Sequence, residues 1–183
     1  MALKSTIYKV QLQLADMDRH VYADHSLTLA RHPSETEERL MMRVLAFALH
    51  VASDDHRGQL EFTKGLSDVD EPALWHKDLT GQLLHWIELG QPEERRLLKA
   101  AGRADRVTVI SYASSTPVWW APLQGKLTRV PNVTVWQIPA EQSQALAALA
   151  QRGMNLQVTV QDGIVWVGDG QSSVQIEPVK LTA

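Results

Sequence analysis

Cysteine is absent from the 183-residue sequence. That excludes disulfides, thiolate metal sites, iron–sulfur clusters and cysteine nucleophiles, and it matches a reducing compartment, so a cytoplasmic location is expected. Long apolar runs are missing too: no segment reaches the ~18 apolar residues of a membrane span. The first residues enter an alternating pattern directly, without the charged stretch and apolar run of a signal peptide, so no membrane partner is expected. Positive charge is not in excess. With 18 Lys and Arg against 21 Asp and Glu, the formal net charge is −3. A global field for polyanions is therefore lacking, and nucleic acid, as a partner, would have to be held weakly by a local basic patch, with affinity that falls as salt rises. A Gly-rich phosphate loop, a Gly-x-Ser-x-Gly elbow and helical zinc spacing among the seven histidines are also lacking, which leaves P-loop hydrolysis, serine-hydrolase chemistry and a histidine metal site without support.

What is present fits one domain over residues 1–183, large enough to bury about 70% of the surface of its unfolded chain. Ile7 to Leu14 and Val21 to Ala30 alternate and predict a hairpin turned at Asp16 to Arg19. Ser34 with Glu37 three residues on has the spacing of a capping box, and predicts a helix whose stripe Leu40, Met41, Val44, Leu45, Ala48 and Val51 runs to about His50. A loop over Ser53 to Gly58 and a short strand at Leu60 to Phe62 follow. Asp68 to Pro72 has the composition of a second, short helix start, with Trp75 packing inward.

Leu83 to Leu89 is apolar enough for a central strand, closed by Gly90-Gln91-Pro92, and Glu93 to Gly102 reads as a helix with acids early and bases late. Val107 to Tyr112 and Val133 to Ile138 predict buried strands, and the segment after Pro139 a helix. Val158 to Val167 holds an Asp162-Gly163 hairpin turn, and Gly168 to Gly170 makes a further hairpin connection. The order predicts an α/β (mixed α+β) domain: a mixed, partly parallel sheet flanked by helices, with antiparallel strands added at both ends.

Three stretches carry a family resemblance: Leu27 to Arg39 (LTLARHPSETEER), Asp70 to Trp75 (DEPALW) and Trp86 to Arg95 (WIELGQPEER). With Val107 to Tyr112, Trp119-Trp120 and Gln161-Asp162-Gly163 it extends over essentially the whole chain, which resembles the YaeQ family. The resemblance implies a fold similar to the PD-(D/E)XK nucleases. In such enzymes a helix acid, an Asp and a strand acid hold a divalent ion, and a lysine two residues on orients or activates the attacking water. By position, Glu38 is the implied helix acid, Asp70 the sheet Asp, with Asp78 its rival, and Glu88 the strand acid. Oxygen ligands of this kind suit Mg²⁺ or Mn²⁺, and the implied activity is divergent, metal-dependent phosphodiester hydrolysis of nucleic acid. Gly90 stands where the lysine belongs, so Gln91 and Arg95 are the residues expected to assist.

The alternative is a catalytically inactive relative of that fold acting as a binding or interaction module. On that reading Glu88, whose unpaired burial would cost several kcal/mol, forms a salt bridge to Arg39 or Arg95, Asp70 caps a helix, and Glu37 completes the capping box. A helical wheel centred near Leu97, Leu98 and Ala101 puts Arg95 on the flank of the buried face of its helix, with Arg96 and Lys99 opposite. Arg96, Lys99, Arg103 and Arg106 form a basic stripe, suited either to phosphate or to a solvated helix end, and the six tryptophans suit either core and interface packing or a stacking surface for bases.

Overall fold

The computed structural model describes residues 4–183, which fall into two compact units, each assembled from separate stretches of chain. The first comprises the residues up to Ser53 with Glu141–Glu177; the second is Asp54–Ala140 with Pro178–Ala183.

In the first unit, β1 (Thr6–Asp16) and β2 (Val21–Arg31) form the predicted hairpin, paired without interruption from Thr6 opposite Arg31 to Asp16 opposite Val21. Strict alternation buries Tyr8, Val10, Leu12, Leu14 and Asp16 on one face. Ile7, counted among the apolar positions of the strand, falls on the other face and is exposed, because period two leaves only one parity inside. Helix α1 (Glu37–His50) ends where its stripe ends, but the capping box does not form. Thr36 is the N-cap and accepts the Arg39 amide at 3.1 Å, while the Ser34 hydroxyl lies 2.6 Å from His32 Nδ1 and Glu37 accepts the Tyr8 hydroxyl at 3.2 Å.

Buried charge organises both ends of this helix. Glu35, 2% exposed, accepts from Arg39 at 2.5 Å and Arg43 at 2.6 Å, and its carbonyl accepts Arg31 Nε at 2.8 Å. At the other end Asp16, 1% exposed, holds Arg19 at 2.7 Å, and the Arg19 guanidinium donates to the Ala48 and Val51 carbonyls. A cation among the last carbonyls of a helix satisfies free acceptors and opposes the negative end of the dipole.

After α4 (Ala140–Ala147) come β8 (Gly153–Gln161), β9 (Ile164–Gly168) and β10 (Ser173–Ile176). β8 lies parallel to β1, and the five-stranded order is β10-β9-β8-β1-β2. The β8–β9 turn has positive φ at Asp162 (53°) and Gly163 (75°), the conformation its Asp-Gly sequence favours, and Asp18 accepts both turn amides at 2.8 and 2.9 Å.

The second unit is a six-stranded mixed sheet of β3 (Gln59–Phe62), β4 (Leu74–Lys77), β5 (Leu83–Leu89), β6 (Arg106–Ser111), β7 (Val133–Gln137) and β11 (Val179–Lys180), in the order β11-β7-β6-β5-β4-β3. The adjacent strands β5, β6 and β7 are parallel, and the crossovers are α2 (Glu94–Arg103) and α3 (Thr116–Leu127). Both helices bury residues in one cluster that includes Trp86, Leu97, Ala100, Val107, Trp120 and Leu123. A mixed α/β architecture is thus what the pattern predicted, divided between two sheets rather than built on one.

Two local readings are corrected. Asp68 to Pro72 is not a helix start but a run of turns, closed by the Thr63 hydroxyl donating to the Pro72 carbonyl, after which Leu74 enters β4. Pro72 precedes extended chain, where the Ala73 amide bonds the Ile87 carbonyl of the neighbouring strand at 3.0 Å. Helix α3 is not predicted, since Pro122 and Gly125 lower helix propensity in its interior; it forms because Trp120, Leu123 and Leu127 recur on one face and are buried, with Pro117 accommodated in the first turn. No helix among the described residues is long and apolar enough to cross a membrane.

Glu35→Ala should lower the unfolding free energy by about 3 kcal/mol in a urea titration, because it leaves Arg43 buried without its counter-charge. His25, on the inner face of β2 with its ring edge-on to Phe47 at 5.1 Å, has its pKa lowered from 6.5 by burial, opposed by Asp24. The folded state disfavours the imidazolium, so the unfolded chain takes up the proton first; this stability is complete above about pH 6.5 and is lost as pH falls toward the folded pKa. In His25→Phe, the drop in Tm between about pH 7.5 and about pH 5.5 should be smaller than in the wild type.

Candidate functional site

The second unit carries a cleft of about 380 Å³ along one side of α2. Trp86, Ala100, Val69 and Asp70 line it, together with four cations: Arg95, Arg96, Lys99 and Arg103. This helix is basic along its cleft side for a reason legible in its buried face. Leu97, Ala100 and the following Ala104 are the buried positions, whereas Leu98 is 45% exposed. Centring the face on those three residues moves Arg96 and Arg103 to its flank and turns Arg95 away from it, the reverse of the order predicted when Leu98 was counted inside.

Arg96 is accordingly the partner of Glu88. Glu88 is 6% exposed, near the end of β5, and its Oε1 accepts Arg96 Nε at 2.7 Å and the Trp86 indole N–H at 2.8 Å. Its partner is neither Arg39 nor Arg95. The other Arg96 nitrogens donate to the Val69 carbonyl and, at 2.8 Å, to the Glu71 carbonyl. One guanidinium therefore ties strand, helix and the 69–71 turn together, and little of it is left for a ligand.

Asp70, in the turn and largely exposed, lies 3.7 Å from Lys99 and caps no helix. Asp78 forms the β4–β5 turn: it accepts the Thr80 hydroxyl at 2.6 Å and the Thr80 and Gln82 amides, and these bonds, the hydroxyl's first, hold its pKa below the usual carboxylate value. Glu38 belongs to the first unit, where the Ser143 hydroxyl donates to it at 3.2 Å. Gln91 donates to Ser115 Oγ at 2.8 Å, joining the segments that follow β5 and β6. Arg95 has no protein hydrogen bond or ion pair among the described residues. Arg106 leaves the expected basic stripe: it donates to His85 Nδ1 at 3.2 Å, which makes the other ring nitrogen the donor to Thr108 at 2.7 Å.

These placements test the divalent site. Among the described residues no three His, Cys, Asp or Glu side chains stand together as metal-ligating groups. Glu88 is spent on an arginine and an indole, and Asp70 faces a lysine. Gly90 follows β5 with φ 99°, a conformation that side-chain-bearing residues rarely adopt, so this backbone does not suit a lysine at that position. The donor set does not fit a bound Mg²⁺. What the site offers is an electropositive cleft with an aromatic floor, where the Arg103 guanidinium lies 5.2 Å from the Trp86 ring centre and Trp75 meets Trp86 edge-on at 6.1 Å.

Mixed sheets, helical crossovers and this cleft define an α/β protein with four cations gathered along one helix. The chain belongs to the YaeQ family, whose model, described as YaeQ protein, matches residues 1–178. It is 44% identical to the uncharacterized protein YaeQ of Escherichia coli (strain K12) over 184 residues, covering 100% of this chain and 97% of that one. Identity to the corresponding protein of Salmonella typhi is 43% over 178 residues, covering 97% and 96%. The crystal structure of the YaeQ protein from Xanthomonas axonopodis pv. citri matches with a TM-score of 0.92 and 46% identity, covering 98% of this chain and 99% of that one. That of the Pseudomonas syringae YaeQ protein gives 0.90 and 39%, covering 98% and 97%.

The Glu88–Arg96 pair makes a testable energetic statement. Arg96→Ala should destabilise the protein by about 2–3 kcal/mol in urea unfolding, since it strands a buried carboxylate; Glu88→Gln combined with Arg96→Ala should be less destabilised than Arg96→Ala alone.

Proposed function

We propose that this protein is a non-catalytic member of a nuclease-like lineage, a binding module that holds a phosphate-bearing polymer, nucleic acid being the leading example, in the cleft beside α2. The observation that carries the reading is the state of Glu88: the acid that would anchor a catalytic ion is neutralised by Arg96, and the same arginine fixes the turn that walls the cleft. Arg95, Lys99 and Arg103 then supply the charge for phosphate, against Asp70 and Glu93 on the same lining. A neighbourhood so mixed in sign, on a chain of net charge −3, favours modest affinity with strong salt dependence.

The test is fluorescence anisotropy of labelled single-stranded DNA and RNA at low salt, with a Mg²⁺-dependent cleavage assay in parallel. Binding should weaken steeply between about 50 and about 200 mM salt and fall at least ~10-fold in the triple variant Arg95→Ser, Lys99→Ser, Arg103→Ser, with no cleavage. Binding unaffected by the triple variant overturns the assignment to this cleft. Mg²⁺-dependent cleavage that disappears in Glu88→Gln overturns the non-catalytic reading and restores metal-dependent hydrolysis.

A further inference from the structure

A second cleft, of about 310 Å³, lies within the first unit on the face of β8, β9 and β10 opposite their valine core. Its construction follows from register. Trp166 on β9 stands between Thr159 on β8 and Gln175 on β10. Two residues along, in the row beside it, Gly168 stands between Gln157 and Ser173. A glycine in the centre of that row leaves a notch next to the indole, walled by an amide on one side and a hydroxyl on the other. The β9–β10 connection closes the notch with Gln171 and Ser172.

The lining has no Lys, Arg, Asp, Glu or His side chain. None of the Gln157, Thr159, Gln171, Ser172 or Ser173 side chains is engaged with another protein group among the described residues, and the same is true of the Trp166 indole N–H. The connecting loop is ordered by other means: Asp169 accepts the Gln171 and Ser172 amides at 2.9 and 2.7 Å, leaving those two side chains outside the turn's own bonding. Each amide and hydroxyl both donates and accepts, so the set suits a ligand rich in groups that do the same. The indole supplies an apolar face for a ring with C–H bonds on one side.

From this juxtaposition we propose that the Trp166–Gly168 notch is a saccharide-binding site, which seats one face of an uncharged pyranose on the indole and bonds its hydroxyls through Gln157, Thr159, Gln171 and Ser173. Nucleic acid is disfavoured here because phosphate would find no cation in the lining and would meet the Asp169 carboxylate in the loop. Charged sugars are disfavoured on the same ground. The site shares no residue with the α2 cleft and does not depend on the reading given for it.

The test uses the full chain labelled with ¹⁵N, titrated with cellotetraose, maltotetraose and N-acetylchitotetraose while the indole resonances are followed. The Trp166 signal is assigned as the one missing from Trp166→Phe. One of the three sugars is expected to shift that signal with a dissociation constant of order 1 mM. The affinity should fall at least ~10-fold in Trp166→Ala and also in Gly168→Val. The second variant keeps the indole and fills the notch; its Cβ meets only the Ser172 carbonyl at 3.5 Å, an ordinary contact, and an unchanged spectrum outside the notch checks that it folds. Absence of any shift up to about 10 mM of all three sugars overturns the proposal. So does binding that Gly168→Val leaves unchanged, or a stronger response of the same indole to an oligothymidylate than to any sugar.

Discussion

A carboxylate held at the end of a central strand constrains everything around it. Glu88 lies on the helix-covered face of the second unit's sheet, two residues after Trp86 and just before the left-handed turn at Gly90. An unpaired charge there would cost several kcal/mol, so a cation had to be brought to it, and the first turn of α2 delivers Arg96. Because side chains on a helix lean toward its N-terminus, a residue in that turn reaches back over the end of the strand it follows. The same guanidinium then ties to α2 the turn at 69–71, whose own bonds are local, from the Glu71 amide to the Asp68 carbonyl and from the Asp70 amide to the Asp68 side chain. That turn bounds the α2 cleft, and Arg96 is its hydrogen-bonded tie to the helix.

The consequence for charge is a division of labour along one helix. Arg96 is structural, Arg103 leans on the Trp86 ring, and Arg95 and Lys99 project from the helix. The first unit shows the opposite chemistry on its own polar surface. Two of its acids are drawn inward and paired, Glu35 with Arg39 and Arg43 and Asp16 with Arg19, and the lining around Trp166 carries no charged side chain. The two surfaces are suited to different classes of ligand.

Much of the fold was legible in the residues. Period-two alternation gave the first hairpin, Asp162-Gly163 gave the β8–β9 turn, and the apolar runs gave β5, β6 and β7. The failures have local causes. Ser34 and Thr36 are both good caps, and choosing between them depends on where His32 lies, which spacing alone does not report. Counting Leu98 as buried rotated the helical wheel of α2 and exchanged the roles of Arg95 and Arg96. Asp70-Glu71-Pro72 resembles a helix start, yet the strand pairing of β4 with β5 takes the following residues. Glu35 gathers arginines from positions 31, 39 and 43, a pattern that overlaps the capping spacing and becomes distinct only when the helix and the end of β2 are placed side by side. The notch beside Trp166 depends on which residues of three strands stand side by side, and register of that kind is not written in any one strand.

Each unit is also closed by residues far along the chain from those that begin it. Strand β1 finds its parallel neighbour only at β8, with Lys9 opposite Gly153, and β7 receives β11 and the Leu181 amide from residues beyond the whole of the first unit. During synthesis the hairpin of β1 and β2 therefore emerges with one long edge unpaired until more than a hundred further residues have been added. Pairings this distant in sequence slow folding and prolong the exposure of strand edges. Nascent chains of this architecture should rely on protection from edge-to-edge association until the later strands arrive, and a truncation before β8 should be prone to aggregate rather than fold in part.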